Sequence, residues 1–251
     1  MTIEFTLEIP IDSVEAAEAA APHLRPRDRF ELCEDLASEG WTPTPELIRE
    51  VRRQVPSEVE VVAMIRPRLA DSRAMLDLEA FLATPAVLAA SLAEIEDAAR
   101  AGADSVAIGL LTAAGTVDLD GCGTLAERAR SLGLVVAFLR TLDLLADREA
   151  GLDAIHELGC RRVVTAGVLG WDASVADVSA RCEALSRDAS RVASLAAALG
   201  GEVVEIVPGG GVRASNAAEF AAVSPHLHAS CRREGRISVE EVRLLTGLRD
   251  R

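Results

Sequence analysis

Short apolar runs alternate along this chain with longer stretches rich in Ala, Leu, Glu and Arg. The runs have strand length and the stretches have helix length, so the pattern predicts strands and helices in turn. The predicted strands are IEFTLEI (3–9), DRFELC (28–33), EVEVVAMIRPR (58–68), DSVAIGLL (104–111), LVVAFLR (134–140), RRVVTAG (161–167), EVVEIV (202–207) and HLHASC (226–231). A helix follows each. The first starts at VEAAEAAA, with Ser13 as its N-cap, and the second is PELIREVRRQV (45–55), which opens on a proline. The others span 84–103, 119–133, 147–159, 172–200, 214–224 and 238–248.

Eight β-then-α units imply a parallel sheet, because each crossover needs its helix. In 251 residues this matches an α/β fold of the (β/α)8 TIM-barrel type, and with no linker or low-complexity tract the chain reads as a single domain over 1–251. A doubly wound open sheet is the alternative. It is disfavoured because the first βα turn, EIPIDSVEA (8–16), has no GxGxxG.

Composition narrows the function classes. The chain is 49% hydrophobic and 26% charged, and its apolar runs fall far short of the roughly 18 residues a membrane span needs. Its acidic, alternating N-terminus is unlike a signal peptide, so the expected compartment is the cytoplasm, with no membrane partner. Net charge is −14, all 26 basic residues are Arg, and there is no Tyr. Such a surface is ill suited to nucleic acid, which needs clustered positive charge and stacking platforms. Arg suits bidentate contact with a small anionic ligand. Five Cys, none in CxxC or zinc-ligand spacing, read as reduced thiols. Outward-facing barrel helices are where a homo-oligomer would form, and nothing in the sequence marks a face.

In a (β/α)8 barrel the chemistry sits at the C-terminal ends of the strands. There the sequence places Glu8, Glu31, Cys33, Arg66, Arg68, Arg140 with Asp143, Thr165, the run Gly209-Gly210-Gly211 with Arg213, and His228 with Ser230. Charge on buried strands needs a reason. One is mutual pairing, for example Glu8 with Arg66 or Glu31 with Arg140. The other is a pocket in which Arg66, Arg68 and Arg140 hold an anion, Glu31 or Glu8 is the general base, and His228 is an acid or orienting group. The loop IVPGGGVR (206–213) is either a tight corner or a backbone cradle for phosphate, with Ser215 or Asn216 capping the next helix and Arg213 reaching the anion or an acidic neighbour. Cys33 is either a small core hydrophobe or, with an Arg nearby, a reactive or metal-binding thiolate. His226 and His228 are two apart on a strand and share a side, where two imidazoles could meet one metal.

Several segments resemble the CutC family, the copper homeostasis proteins. ELCEDLASEGWTPTPELI (31–48) is similar to its ELC…GG-TPS segment, MIRPR (64–68) to its IRPR strand and FLRTLD (138–143) to its FHRAFD. VVTAG (163–167) resembles LTSG, PGGGVRASN (208–216) the glycine loop, LHAS (227–230) the final H-[AS]-S, and LEIPIDSVEAA (7–17) the opening LE-[VI]-C…S-[VM]-E-A. The resemblance implies a (β/α)8 barrel, a cytosolic protein linked to copper tolerance, and copper bound by Cys or His. It carries to Glu8, Glu31, Cys33, Arg66, Arg68, Arg140, Asp143, Gly209 to Gly211, Arg213, His228 and Ser230. The chain departs from the family at Leu139 (His), Pro10 (Cys), Trp41 (Gly) and Ala166 (Ser), and LADSRAM (69–75) replaces GGDF-Y. Of the site thiols Cys33 remains, and Met64 lies below the rim. Three readings follow: a copper protein, an enzyme of a small anionic or phosphorylated metabolite, and a barrel that has lost its chemistry.

Overall fold

The computed structural model describes residues 3–70, 72 and 76–250, so most of the divergent segment 69–75 lies outside the described residues. Eight parallel strands run β1 Thr6–Ile11, β2 Arg29–Leu32, β3 Glu60–Met64, β4 Ser105–Ile108, β5 Val135–Phe138, β6 Arg162–Thr165, β7 Glu205–Pro208 and β8 His226–His228. Their order is β7-β6-β5-β4-β3-β2-β1-β8, and β8 lies against β7, so the sheet is a nearly closed barrel. The open-sheet alternative is excluded. The helices are α1 Val14–Ala20, α2 Pro45–Gln54, α3 Pro85–Ala101, α4 Leu119–Ser131, α5 Arg148–Glu157, α6 Val178–Leu199, α7 Ala217–Ala221 and α8 Val239–Thr246. A two-stranded hairpin, β9 Arg232–Arg233 with β10 Arg236–Ile237, separates β8 from α8.

Local chemistry starts most helices. Ser13 accepts from the N–H of Ala16, Thr44 from Leu47, Thr84 from Val87, Asp147 from Ala150, Asp177 from Ala180 and Ser238 from Glu241. Each satisfies an N–H that the first turn leaves without a partner, and Pro45 and Pro85 occupy first-turn positions whose N–H would be idle. The exceptions are α4, where Asp118 makes no capping bond, and α7. Neither Ser215 nor Asn216 caps it; Asn216 instead accepts from the N–H of Arg213 through Oδ1 and donates to Gly211 O. Its side chain braces the glycine loop.

Six of the eight strands stop short of the C-terminal ends of their apolar runs, β1 and β7 being the exceptions. β3 stops at Met64, and Arg66 turns away: its N–H bonds Thr42 Oγ1 and its carbonyl accepts from the N–H of Thr42. The predicted helix over 172–200 starts only at Val178, since Asp177 caps it. Residues 167–177 form a loop with one short 3-10 turn. Both shortenings leave irregular chain above the strand ends, where a ligand can be met by loops.

Helix faces and sheet share one apolar layer: Ala17 of α1, Ile48 and Val51 of α2, Ile95 of α3, Leu125 of α4, Ile155 of α5 and Phe220 of α7 are almost fully buried. Inside the ring the filling is different. Parallel register sets Glu8 beside both Arg29 and His228, and Arg162 beside Glu205. Glu8, Arg29, Glu31 and Arg162 are buried there, where barrels usually place branched aliphatics.

Candidate anion-binding and acid–base site

A hollow of about 1080 Å³ opens at the C-terminal ends of the strands, large enough for a metabolite. Its walls include Glu31, Cys33, Arg140, His228 and Ser230, together with Gly210 and Gly211 of the glycine loop. A second hollow of about 700 Å³ lies at the opposite mouth. The charges lining it are largely paired with one another, Arg161 with Glu202 and Glu205 and Arg162 with Glu60, and barrel chemistry belongs to the other end.

At the floor of the first hollow a buried carboxylate meets an imidazole. His228 Nδ1 is 2.8 Å from Glu8 Oε1. Burial works to raise the Glu8 carboxyl, but Arg29, the His228 hydrogen bond and Arg162 outweigh it and hold Glu8 well below the usual carboxylate range. An ionised carboxylate only accepts, so Nδ1 carries the proton and Nε2 is left for a ligand. Burial works to depress the imidazole; the hydrogen bond to Glu8 and the charges of Glu31 and Glu8 overcome it, and the ring titrates above its ordinary value. Glu31 behaves oppositely. Burial, with the nearby Glu8 charge, pushes its carboxyl up to about 7 against the pull of His228 and Arg162. Two carboxylates two strand positions from each other in register are thus shifted in opposite directions.

The cationic wall stands on the turn after β5 and the loops beyond β6 and β7. Arg140 donates through Nε to Asp143 Oδ2 (3.0 Å) and through Nη2 to Trp171 O (3.0 Å), and its guanidinium lies 4.4 Å from the Trp171 ring centre. Gly210 approaches it so closely that a Cβ would meet Arg140 Cζ at 3.3 Å and the Cβ atoms of Ala166 and Ala173 at 3.0 Å. With φ of +69°, that position requires glycine twice over. The N–H groups of Gly210 and Gly211 have no acceptor among the described residues. Arg181 pins the loops in place: Nε donates to Ala166 O (2.8 Å) and Nη2 to Gly209 O (2.6 Å).

Several sequence expectations change. Arg66 is buried with its guanidinium 4.0 Å over the Trp41 ring and Nη1 on Gly40 O, and it does not line the hollow. Arg68 points outward, 62% exposed and 3.8 Å from Asp35. Asp143 and Thr165 are fully buried. Asp143 accepts from Arg140, Arg148, Thr165 and the N–H of Ala166, leaving no lone pair for a ligand. Gly209 extends the β6–β7 ladder, its N–H bonded to Thr165 O. Arg213 donates to Ser230 Oγ at 3.0 Å, meeting neither the hollow nor an acidic neighbour. Glu8 pairs with Arg29, Arg162 and His228, not Arg66, and Glu31 makes no ion pair with Arg140.

The metal expectations also change. His226 does share a side with His228 but lies one layer lower, level with Thr6, whose Oγ1 is 2.9 Å from its Nδ1. Among the described residues no three His, Cys, Asp or Glu side chains are grouped to hold a metal. Cys33 is buried; its thiol donates to Ile11 O at 3.7 Å, and burial with the charge of Glu31 pushes it well above its usual value. It is a thiol, not an activated thiolate. Pro10 and Leu139, which stand where the family pattern has Cys and His, are on the hollow wall.

Sequence reasoning passed over Trp171, Arg181 and Arg232, all on the hollow, and the inner pair Arg29 and Arg162. The last two were legible as charges inside apolar strands. Arg181 gave no signal, since only packing turns that helical position toward the loops.

The structure is a (β/α)8 barrel with a buried Glu–His pair and arginines around a hollow at its strand ends. The comparisons agree on its relatives. Residues 5–232 match the model of the CutC family. A CutC family protein of Vibrio cholerae is 32% identical over 223 residues, which cover 87% of this chain and 76% of that protein. One of Vibrio atlanticus is 35% identical over 162 residues, 64% of this chain and only 60% of its own length. A solved structure named as copper homeostasis protein CutC from Streptococcus agalactiae superposes with a TM-score of 0.72 at 20% identity, covering 93% of this chain and all of that one. The chain belongs to the CutC family. Among its described residues no helix is long and apolar enough to cross a membrane.

Proposed function

We propose that this protein binds a small anionic, phosphate- or carboxylate-bearing metabolite in the hollow and moves a proton on it. One observation carries the reading: Glu31, buried on the wall with its carboxyl raised to about 7, stands beside an imidazole held by an ionised Glu8. A group titrating near neutrality serves as base and acid at little cost. Arg140 and the N–H groups of Gly210 and Gly211 take the anion, Glu31 removes the proton, and His228, in its doubly protonated form, donates from Nε2 to the charge that develops. With no lysine in the chain, carbonyl activation through a lysine Schiff base is closed to it. All five cysteines are free and four are buried, which suits a reducing compartment such as the cytoplasm.

The test is a thermal-shift screen of phosphate and carboxylate metabolites. A ligand at about 100 times its Kd adds roughly 2.7 kcal/mol to the wild type. The same ligand should leave Arg140→Ala unshifted. Equal shifts in both proteins, or none from a broad panel, would end this reading.

A second reading has its own observation. Met64 Sδ and Cys33 Sγ lie 3.0 and 3.3 Å from the place a Gly40 Cβ would occupy, and both side chains are on the hollow wall. Two neighbouring soft donors fit Cu(I) as cargo. The thiol would have to lose its proton on binding. Under reducing conditions, competition with a Cu(I) chelator should give one copper per chain, weakened at least tenfold by both Cys33→Ser and Met64→Leu. Binding indifferent to both substitutions removes the sulfur pair as the site.

A further inference from the structure

The barrel interior holds two arginines that packing does not require. Arg162 is 2% exposed and Arg29 5%, in a layer that branched aliphatics fill in other barrels. Replacing a buried ion cluster by apolar side chains is often neutral or stabilising, so stability alone gives no reason for this one. The geometry supplies another. Glu8 divides its two oxygens. Oε2 takes the guanidiniums, Arg29 Nε at 2.9 Å and Arg162 Nε at 3.4 Å, while Oε1 takes His228 Nδ1 at 2.8 Å. Arg162 is itself anchored across the ring: Nη2 donates to Glu60 Oε1 (2.7 Å) and Ser105 Oγ (3.1 Å), and Ser105 donates to Glu60 (2.5 Å). One side chain from β6 thereby ties β1, β3 and β4 together between two carboxylates, Glu8 and Glu60.

We propose that Arg29 and Arg162 are positioning residues that set the tautomer of His228 by keeping Glu8 an ionised, acceptor-only carboxylate. With Glu8 ionised, the neutral ring keeps its proton on Nδ1 and presents a basic Nε2 to the hollow. A protonated Glu8 would do the reverse: its O–H would donate to Nδ1, and the ring proton would move to Nε2. The groups facing this pair are few. Glu8 meets Arg29 from β2, Arg162 from β6 and His228 from β8; the imidazole senses Glu8 from β1, Glu31 from β2 and Arg140 from beyond β5. Among the described residues no guanidinium hydrogen-bonds the ring, so Arg29 and Arg162 act on it through Glu8. The use made of Nε2 rests on the function proposed above; its tautomer does not.

The chain has four histidines, so nitrogen NMR of histidine-labelled protein can follow His228, assigned with His228→Gln. In the wild type the neutral ring should be the Nδ1–H form. Arg162→Met and Arg29→Met should each raise the Glu8 protonation step sensed by the ring by about one pH unit or more, a tenfold gain in proton affinity. The double variant should switch the neutral ring to Nε2–H, and Arg162→Lys should restore wild-type behaviour. An unmoved Glu8 step in both single variants overturns the proposal, and those variants decide the matter even where the double one fails to fold. A Nε2–H ring in the wild type also overturns it. Anion binding, read separately by thermal shift, tests the function: a wild type that binds no anion yet shows the expected tautomers leaves the positioning role standing and removes the catalytic one.

Discussion

Glu8→Gln should destabilise this barrel by about 3–5 kcal/mol at neutral pH, the cost of removing one partner from a buried ion cluster. The amide keeps the shape and loses the charge. Arg29 and Arg162, both almost fully buried, are then left facing a neutral group, with Glu205 3.8 Å from the one and Glu60 2.7 Å from the other. The pH dependence has a definite sign. A carboxyl whose folded value is depressed binds protons less readily folded than unfolded. Its contribution is present above the unfolded value of 4.5 and is lost as pH falls through the lower folded value. Urea unfolding across the acid range should therefore show wild type converging on Glu8→Gln as pH falls. A variant as stable as wild type at neutral pH would mean that the cluster relaxes or takes in water.

Glu31→Gln should do the opposite. Burial raises this carboxyl from 4.5 to about 7, so the folded state holds its proton more tightly than the unfolded state. Stability from this group is full below 4.5 and falls as pH rises through about 7. The cost levels off at about 3 kcal/mol above neutrality. His228, raised above 6.5, acts in the same direction, its contribution fading as pH climbs through its folded value. Wild type should thus melt lower at mildly alkaline than at mildly acidic pH. Glu31→Gln should be more stable than wild type at alkaline pH by about 3 kcal/mol and similar to it in acid. Under the proposed function the variant keeps anion binding at Arg140 and loses roughly 10²–10⁴ in turnover. Identical stability profiles for the two proteins would show that Glu31 is not held protonated.

Together the two substitutions separate what one layer of carboxylates does. Glu8 earns its place by being charged and Glu31 by being able to change charge. Both read the same in the sequence, as a Glu inside an apolar run. What divides them is which neighbours the register supplies: Arg29, Arg162 and His228 surround Glu8, while Glu31 opens on the hollow.

The same limit explains the arginines. Arg66, Arg68 and Arg140 all follow a strand, and strand order alone sends all three to the site. β3 ends two residues before Arg66, which folds under Trp41, and Arg68 is carried outward beyond it. Arg140 alone is aimed across the hollow, because Asp143 and the carbonyl of Trp171 hold it there. Arg181, far along the chain, arrives on the wall from a helix.

What the sequence determined by itself was the alternation of strand and helix, the helix cap at Ser13, the barrel class, the family, and the end at which polar groups collect. These follow from period, local hydrogen bonding and chain order, which act over a few residues or simply count units. Tertiary structure alone decided the partners: Glu8 with two arginines from distant strands, Asp143 buried with four donors, and Gly210 pressed against Arg140. Charge state and reach depend on desolvation and on atoms a few ångströms away, and closing the ring is what brings those atoms together.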